Sequence, residues 1–296
     1  MTLFKSVKNR IFKDASWLYP LSDPPGGKPL RREEDLEYMA YLLSDVFRTG
    51  KGRNLFVFGK PGTGKTVCVK YLLKEVRRHA EQEKVPLAAV YVNAGKTRSP
   101  YYTMLEIVKS LGLDVPESGW QMFRLKRAFE NVTKEKAVVV AIDEVETLLL
   151  KEKEPLVYYL NRQPKTTLIL VSNTIEDAVD LPDRALSTLQ LKLVLLQPYT
   201  PEEAKAILAE RVGKALRARA LSNRLLKLVA ELASEAGDIR LGFSIILQGG
   251  RIAEKHGQKT IEGEDLRTAG KDEIRMKQIK ELIETRRALE KLTKRR

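Results

Sequence analysis

Eight consecutive residues constrain this chain more than any others: Gly59-Lys60-Pro61-Gly62-Thr63-Gly64-Lys65-Thr66, a full match to G-x-x-x-x-G-K-[ST]. The apolar run Asn54-Leu55-Phe56-Val57-Phe58 before it predicts a buried strand. Val67-Cys68-Val69-Lys70-Tyr71-Leu72-Leu73 after it predicts the start of a helix. Strand, glycine loop and helix in that order are the context in which the pattern becomes a phosphate site. Glycines let backbone N–H groups turn inward around a phosphate, which then sits at the positive end of the helix. Lys65 is placed to reach the outer phosphates as a point charge, and the Thr66 hydroxyl to ligate Mg²⁺. The stretch therefore predicts a nucleoside triphosphate site.

Length and composition narrow what surrounds that site. With 296 residues, 43% hydrophobic and 31% charged, the chain has material for one large domain or two ordinary ones. No stretch approaches the ~18 apolar residues of a membrane span, and the N-terminus has no apolar leader core. A cytoplasmic location is expected. A single cysteine, Cys68, excludes an internal disulfide, and with only His79 and His256 besides no zinc-ligand spacing exists. Cys68 lies behind the phosphate loop, where a small buried packing residue is the expectation. The net charge of +14, from 53 Lys and Arg against 39 Asp and Glu, favours a polyanionic partner, nucleic acid before membrane.

Residues 1–30 carry Lys5, Lys8, Arg10 and Lys13 and a Pro/Gly-rich segment from Pro20 to Pro29, which predicts an extended arm. Apolar residues at Leu36, Met39, Ala40, Leu42, Leu43, Val46 and Phe47 predict one helix over Arg31 to Thr49. After the nucleotide strand and its helix, further strands are expected at Leu87 to Asn93, Ala137 to Asp143, Thr166 to Ser172 and Leu189 to Leu196. Helices are expected over Tyr101 to Leu111 and Trp120 to Val132. Alternation of this kind predicts α/β architecture with a doubly wound parallel sheet over residues 31–199. The run Ala137-Val138-Val139-Val140-Ala141-Ile142 reads as its central strand, ending in Asp143-Glu144 where such sheets bind ligands. Asp143 is expected to hold Mg²⁺, and Glu144 to polarise an attacking water. Asn173, at the next strand tip, can orient water beside the outer phosphate or serve as an ordinary turn residue. Arg184 can face a neighbouring subunit's phosphate or simply be solvated. From Thr200 the pattern is all-helical, opening on the capping box Thr200-Pro201-Glu202-Glu203. It continues in segments Pro201 to Leu216, Ser222 to Gly237 and Ile239 to Gly257, a helical domain over 200–270. Lys271 to Arg296 holds ten Lys/Arg against five Asp/Glu and predicts a basic helical tail.

Taken together, these motifs resemble an AAA+ ATPase with a trailing helical lid, and more narrowly the replication initiators of the origin-recognition and cell-division-control type, especially archaeal ones. The resemblance runs from about Ile11 to Leu266. It is carried by Ile11-Phe12-Lys13-Asp14, Leu30-Arg31-Arg32-Glu33-Glu34, the phosphate loop, Tyr91-Val92-Asn93, Ser99-Pro100-Tyr101 and Val115-Pro116-Glu117-Ser118-Gly119-Trp120. Asp143-Glu144, Ser172-Asn173, Pro198-Tyr199 and Gly237-Asp238-Ile239-Arg240 follow in order. What the resemblance implies is an ATP/ADP and Mg²⁺ site in which Gly59, Lys60, Pro61, Gly62, Thr63, Gly64, Lys65, Thr66 and Val67 cradle the phosphates. Thr66 and Asp143 would hold the metal, with Ile11, Phe12 and Tyr199 also contributing. Glu144, Asn173 as first sensor, Arg240 as second sensor in cis and Arg184 as an arginine finger in trans would do the chemistry. Thr97 to Trp120 falls where these initiators carry an extra DNA-contacting helix. Their C-terminal winged-helix domain, which reads origin DNA, does not fit in the 26 residues after Gly270.

The function expected is an ATP-switched, slowly hydrolysing ATPase that binds DNA mainly through phosphates during replication initiation, with a replicative helicase or related initiator subunits as partners. An ATPase of another DNA transaction, such as transposition-target selection or clamp loading, is the alternative within the fold. A non-hydrolysing nucleotide-bound interaction protein is the alternative outside it.

Overall fold

A computed structural model describes residues 10–116, 119–149, 156–176 and 187–271. The chain divides into two compact units, residues 26–198 and residues 1–25 together with 199–296.

The first unit is built on five strands, β1 (Leu55–Phe58), β2 (Leu87–Asn93), β3 (Ala137–Asp143), β4 (Thr166–Ser172) and β5 (Lys192–Leu195). They pair in parallel in the order β2-β3-β4-β1-β5. Every residue of β3 and β4 is buried, as a strand covered on both faces demands, and this is why their sequences run apolar without alternation. The two-residue period still sorts their side chains. Phe56, Val138, Val140, Ile142, Leu168 and Leu170 join one core, with Met104 and Ile107 of α5 (Pro100–Ser110) and Leu125 and Phe129 of α6 (Met122–Glu135). Leu55, Val57, Val139, Ala141, Ile169 and Val171 join the other, with Met39 of α1 (Glu33–Leu43) and Cys68, Leu72 and Leu73 of α3 (Lys65–Gln82).

Short helices fill the connections: α2 (Val46–Thr49), α4 (Ala94–Thr97), α7 (Glu146–Leu149) and α8 (Leu156–Asn161). The single helix expected over Arg31 to Thr49 is two, α1 and α2. The Ser44 hydroxyl donates to the Tyr41 carbonyl at the break, and Arg53 N–H takes up the Leu42 carbonyl. Competition of that kind is how serine ends helices.

The second unit is helical, with α9 (Pro201–Ala215), α10 (Asn223–Glu235), α11 (Ile239–Lys255) and a further helical stretch over 263–271. Side-chain oxygens of Thr200, Ser222 and Asp238 cap the three named helices, and the capping box at Thr200 and Glu203 forms in full. The N-terminal segment packs into this unit. Ile11 and Leu18 are completely buried, and Phe12 forms an antiparallel bridge with Leu216. Glu254 Oε1 accepts from the backbone N–H groups of Arg10, Ile11 and Phe12 at 2.8, 2.9 and 3.4 Å. The Phe12 ring lies so close to Gly250 that a Cβ there would sit 2.4 Å from its Cζ. Arg211, buried, donates to the carbonyls of Trp17, Ser22 and Asp23 and stacks over Phe243. Burial pulls its pKa below the ordinary arginine value, and the acids Glu210 and Asp23 oppose that shift. Among the described residues no helix is long and apolar enough to cross a membrane. The expected basic tail from Lys271 onward lies almost wholly outside the described residues.

Candidate nucleotide-binding site

Sheet register assembles this site. Phe58 pairs with Ser172, Asp143 with Val171 and Asn93 with Asp143, so four strands of the sheet end level with one another. The residues just beyond these ends, Gly59, Ala94, Glu144 and Asn173, therefore share one edge, the position at which open parallel sheets bind ligands.

From β1 the chain turns through Gly59 at φ 149°, Gly62 at φ 80° and Gly64 at φ 89°. At Gly59 a Cβ would lie 2.4 Å from the Leu196 carbonyl oxygen, so glycine is required twice over. The Thr63 hydroxyl donates to the Lys60 carbonyl, and the buried Arg32 guanidinium donates to the Thr63 carbonyl from below. No side chain caps the 18-residue helix α3, which leaves its first-turn N–H groups facing the loop. Lys60 and Pro61 are exposed, and Val67 is half-buried in the first turn.

Lys65 is 7% exposed, which places its ammonium in a nearly dry setting. Its Nζ donates to the Gly59 carbonyl at 2.6 Å, the Lys60 carbonyl at 3.0 Å and Asn173 Oδ1 at 3.1 Å. Next to it Thr66 Oγ1 donates to Asp143 Oδ2 at 2.6 Å, and the Tyr91 hydroxyl donates to the same oxygen at 2.8 Å. Burial first, and the Asp143 charge second, push the Tyr91 phenol well above the ordinary tyrosine range, so it stays a donor. Asp143 Oδ1 accepts from the Glu144 N–H. Glu144 stands at φ 53° with an exposed side chain, and Asn93 Nδ2 donates to its Oε1 at 3.0 Å. Gly95 makes room for that carboxylate, since a Cβ there would sit 1.9 Å from Glu144 Oε2. Glu146 in turn accepts from Ser172 Oγ at 3.1 Å and from Asn173 Nδ2 at 3.2 Å.

Thus Lys65, Thr66, Asp143, Glu144 and Asn173 meet within the α/β unit. Arg240, Tyr199, Ile11 and Phe12 belong to the helical unit. There Arg240 opens α11, half-exposed, and grips Asp238 with Nε and Nη2 at 2.9 and 2.7 Å. That pairing raises its already high pKa further. Tyr199 is buried, and its carbonyl accepts from Ser234 Oγ. Arg184, with Leu181 to Asp183, lies outside the described residues, as do Glu117 and Ser118. Tyr91, Asn93, Glu146 and Arg32 join the site with no role expected of them from sequence. Tyr91 and Asn93 carried a signal of their own, two polar side chains on one face at the end of the strand beside β3. Asp143-Glu144-Val145-Glu146 carried a third acid that its neighbours overshadowed.

The donor set fits a triphosphate and a hard cation. The loop presents glycine backbone and a helix N-terminus, and Thr66 and Asp143 bring two oxygens together, which suits Mg²⁺ held through one or two protein ligands plus phosphate. Among the described residues no cluster of three or more His, Cys, Asp or Glu forms a protein-only metal cage.

Residues 48–195 match the AAA domain family, and residues 205–271 match the Cdc6 AAA+ ATPase-type lid domain. An ORC1-type DNA replication protein of Pyrococcus furiosus is 30% identical, over 93% of this chain and 68% of that protein. The chain belongs to the AAA+ ATPase family of ORC1-type replication proteins. ORC1-type DNA replication protein 1 of Sulfolobus acidocaldarius is 28% identical over 94% of this chain. Among solved structures, the Aeropyrum pernix ORC1 protein in complex with DNA superposes with TM-score 0.77 at 25% identity, covering 94% of this chain and 74% of that one. The Aeropyrum pernix ORC2 protein, solved as ADPNP–ADP complexes, shares the fold at TM-score 0.78 and 21% identity, over 89% of this chain and 73% of that one. The parallel sheet followed by a helical lid is accordingly the AAA+ arrangement of ORC and Cdc6 proteins.

Proposed function

We propose that this chain binds ATP with Mg²⁺, hydrolyses it slowly, and uses nucleotide state to control its hold on DNA during replication initiation. The observation that carries the reading is the convergence of Lys65, Thr66, Asp143, Glu144 and Asn173 on one sheet edge beside a glycine loop. ATP with its metal supplies a phosphorus open to attack by water. The Lys65 ammonium neutralises phosphate charge as its carbonyl contacts to the loop give way. Thr66 and Asp143 supply metal oxygens, with Tyr91 keeping Asp143 oriented. Glu144, exposed and able to accept a proton, activates the water, and Asn173 holds it in place.

In the helical unit, Arg240 reads the phosphates in cis, and Ile11, Phe12 and Tyr199 contribute to the nucleotide's surroundings. Arg184 acts from a neighbouring subunit. DNA contacts fall on phosphates, through the chain's basic excess and the segment around α5, where Tyr101 donates to the Trp120 carbonyl and Arg124 lies over the Trp120 ring. The DNA complex of the Aeropyrum relative and the ORC1-type relatives support this assignment. Related initiator subunits and a replicative helicase are the proposed partners.

Two measurements test it. Glu144→Gln is expected to keep nucleotide affinity while phosphate release falls by about two orders of magnitude. Release equal to that of the parent would remove Glu144 from the chemistry. Labelled origin and random duplexes, titrated at rising salt with ATP or ADP, are expected to show salt-dependent binding that responds to the nucleotide. Binding indifferent to both salt and nucleotide would defeat the DNA half of the proposal.

A further inference from the structure

We propose that Glu146 is a positioning residue that fixes which way the Asn173 amide faces, and thereby what Asn173 presents to Lys65. The inference rests on the nucleotide-site reading of the loop and Asn173 given above.

A short path places Glu146. β3 ends at Asp143, Glu144 reverses the chain at φ 53°, and the Val145 N–H is tied to the Val171 carbonyl at 3.1 Å. With Val145 fully buried, Glu146 begins α7 directly opposite the end of β4. Its two carboxylate oxygens are divided between consecutive residues of that strand end. Oε2 takes the Ser172 hydroxyl and Oε1 takes Asn173 Nδ2. The carboxylate cannot rotate without losing both.

Chemistry decides the amide's orientation. A carboxylate only accepts, so it demands the nitrogen end of Asn173. An ammonium only donates, so Lys65 demands the oxygen end, and Nζ lies 3.1 Å from Oδ1. Asn173 is exposed and ends a strand, so its backbone does not dictate its side chain. The two partners do, one on each side. Removing Glu146 leaves Lys65 alone to hold the amide by its oxygen, so the nitrogen end loses its acceptor and can turn toward water or phosphate. An acid in the first turn of a helix is also a common stabilising feature of its own, which a test has to separate from positioning.

The seven asparagines make ¹⁵N-asparagine labelling of the whole chain a direct probe. The Asn173 side-chain pair is assigned by its loss in Asn173→Ala. In the parent, one of its protons should resonate downfield and exchange slowly with water. In Glu146→Ala it should move to the position of a solvated amide, and Glu146→Gln, which keeps an acceptor and the shape, should lie between the two. A helix-stabilising acid alone would leave this signal unmoved, and an unmoved signal in both variants overturns the proposal. Affinities for fluorescent ATP and ADP analogues, measured in parallel, should show the ATP-to-ADP ratio altered about threefold to tenfold in Glu146→Ala and in Asn173→Ala, the effect of roughly one ordinary hydrogen bond. The double variant should go no further than either single one. Additive effects would mean that Glu146 does not act through Asn173. Lys65→Ala serves as the control on the underlying reading: nucleotide affinity retained there would sink the nucleotide site itself, whatever the Asn173 signal does.

Discussion

The two units hold their functional side chains by different means. In the α/β unit, partners are far apart in sequence: Lys65 reaches Asn173 across 108 residues and Thr66 reaches Asp143 across 77. In the helical unit, Arg240 is paired with Asp238, two residues away, and could be so held in any chain that starts a helix this way. What the helical unit does over long range is anchor its N-terminal segment, through Glu254 and Arg211. The sheet edge is thus a site made by tertiary register, and Arg240 is a residue delivered by local capping.

The largest effect that would break this contrast belongs to Lys65→Ala. Nucleotide affinity is expected to fall about 100-fold or more, from roughly 3 kcal/mol of lost charge pairing, with helix content by circular dichroism unchanged. Unaltered affinity would mean the buried polar cluster is only a structural knot. Gly59→Ala follows, expected to cost about 2–4 kcal/mol, because the new Cβ meets the Leu196 carbonyl and the backbone is strained at positive φ. A denaturant midpoint equal to the parent's would show that the turn can relax.

Arg211→Ala tests the helical unit in the same way. Loss of its carbonyl bonds and its stacking on Phe243 should cost about 2–3 kcal/mol. Amide exchange should then quicken in α9 to α11 and in residues 10–25. Equal quickening in β1 to β5 would mean that the two units open as one. Tyr91→Phe is a smaller change, about 1.5 kcal/mol by denaturant midpoint, since one hydrogen bond to a carboxylate is lost and Thr66 remains; a midpoint equal to the parent's would show that Thr66 alone holds Asp143.

The smallest effect expected is a null reaction at Cys68. Burial raises its thiol from an ordinary 9.0 to about 12. Because the folded value is the higher one, the stability tied to the neutral thiol is complete below about pH 9 and is lost as pH climbs toward 12. Folded protein at pH 8 should therefore resist iodoacetamide while unfolded chain is alkylated; rapid labelling of the folded form would contradict the packed core between α3 and the sheet.

Much of this was legible beforehand, for a physical reason that can be named. A strand buried on both faces has to be apolar throughout, so Ala137 to Ile142 announced β3. A tight phosphate turn needs backbone freedom at fixed places, so Gly59, Gly62 and Gly64 announced the loop. A helix start needs an acceptor, so Thr200 and Glu203 announced α9. The break at Ser44 was not legible, because the apolar period of α1 runs on into α2 at Val46 while side-chain hydrogen bonding stops the helix between them. Nor were the partners of Asp143, Glu144 and Asn173, although the residues themselves stood out.

By itself, then, the amino-acid sequence determined the main strands and long helices, their order and the chemical types that end at the strand tips, because turns, caps and buried strands each impose a local residue requirement. Tertiary structure decided which of those tips lie level. Parallel register set Tyr91 against Asp143, Asn93 against Glu144 and Glu146 against Asn173, at separations of 52, 51 and 27 residues. No local preference encodes such pairs. They follow from how two cores pack on opposite faces of one sheet, and a shift of a single residue in register would undo all three.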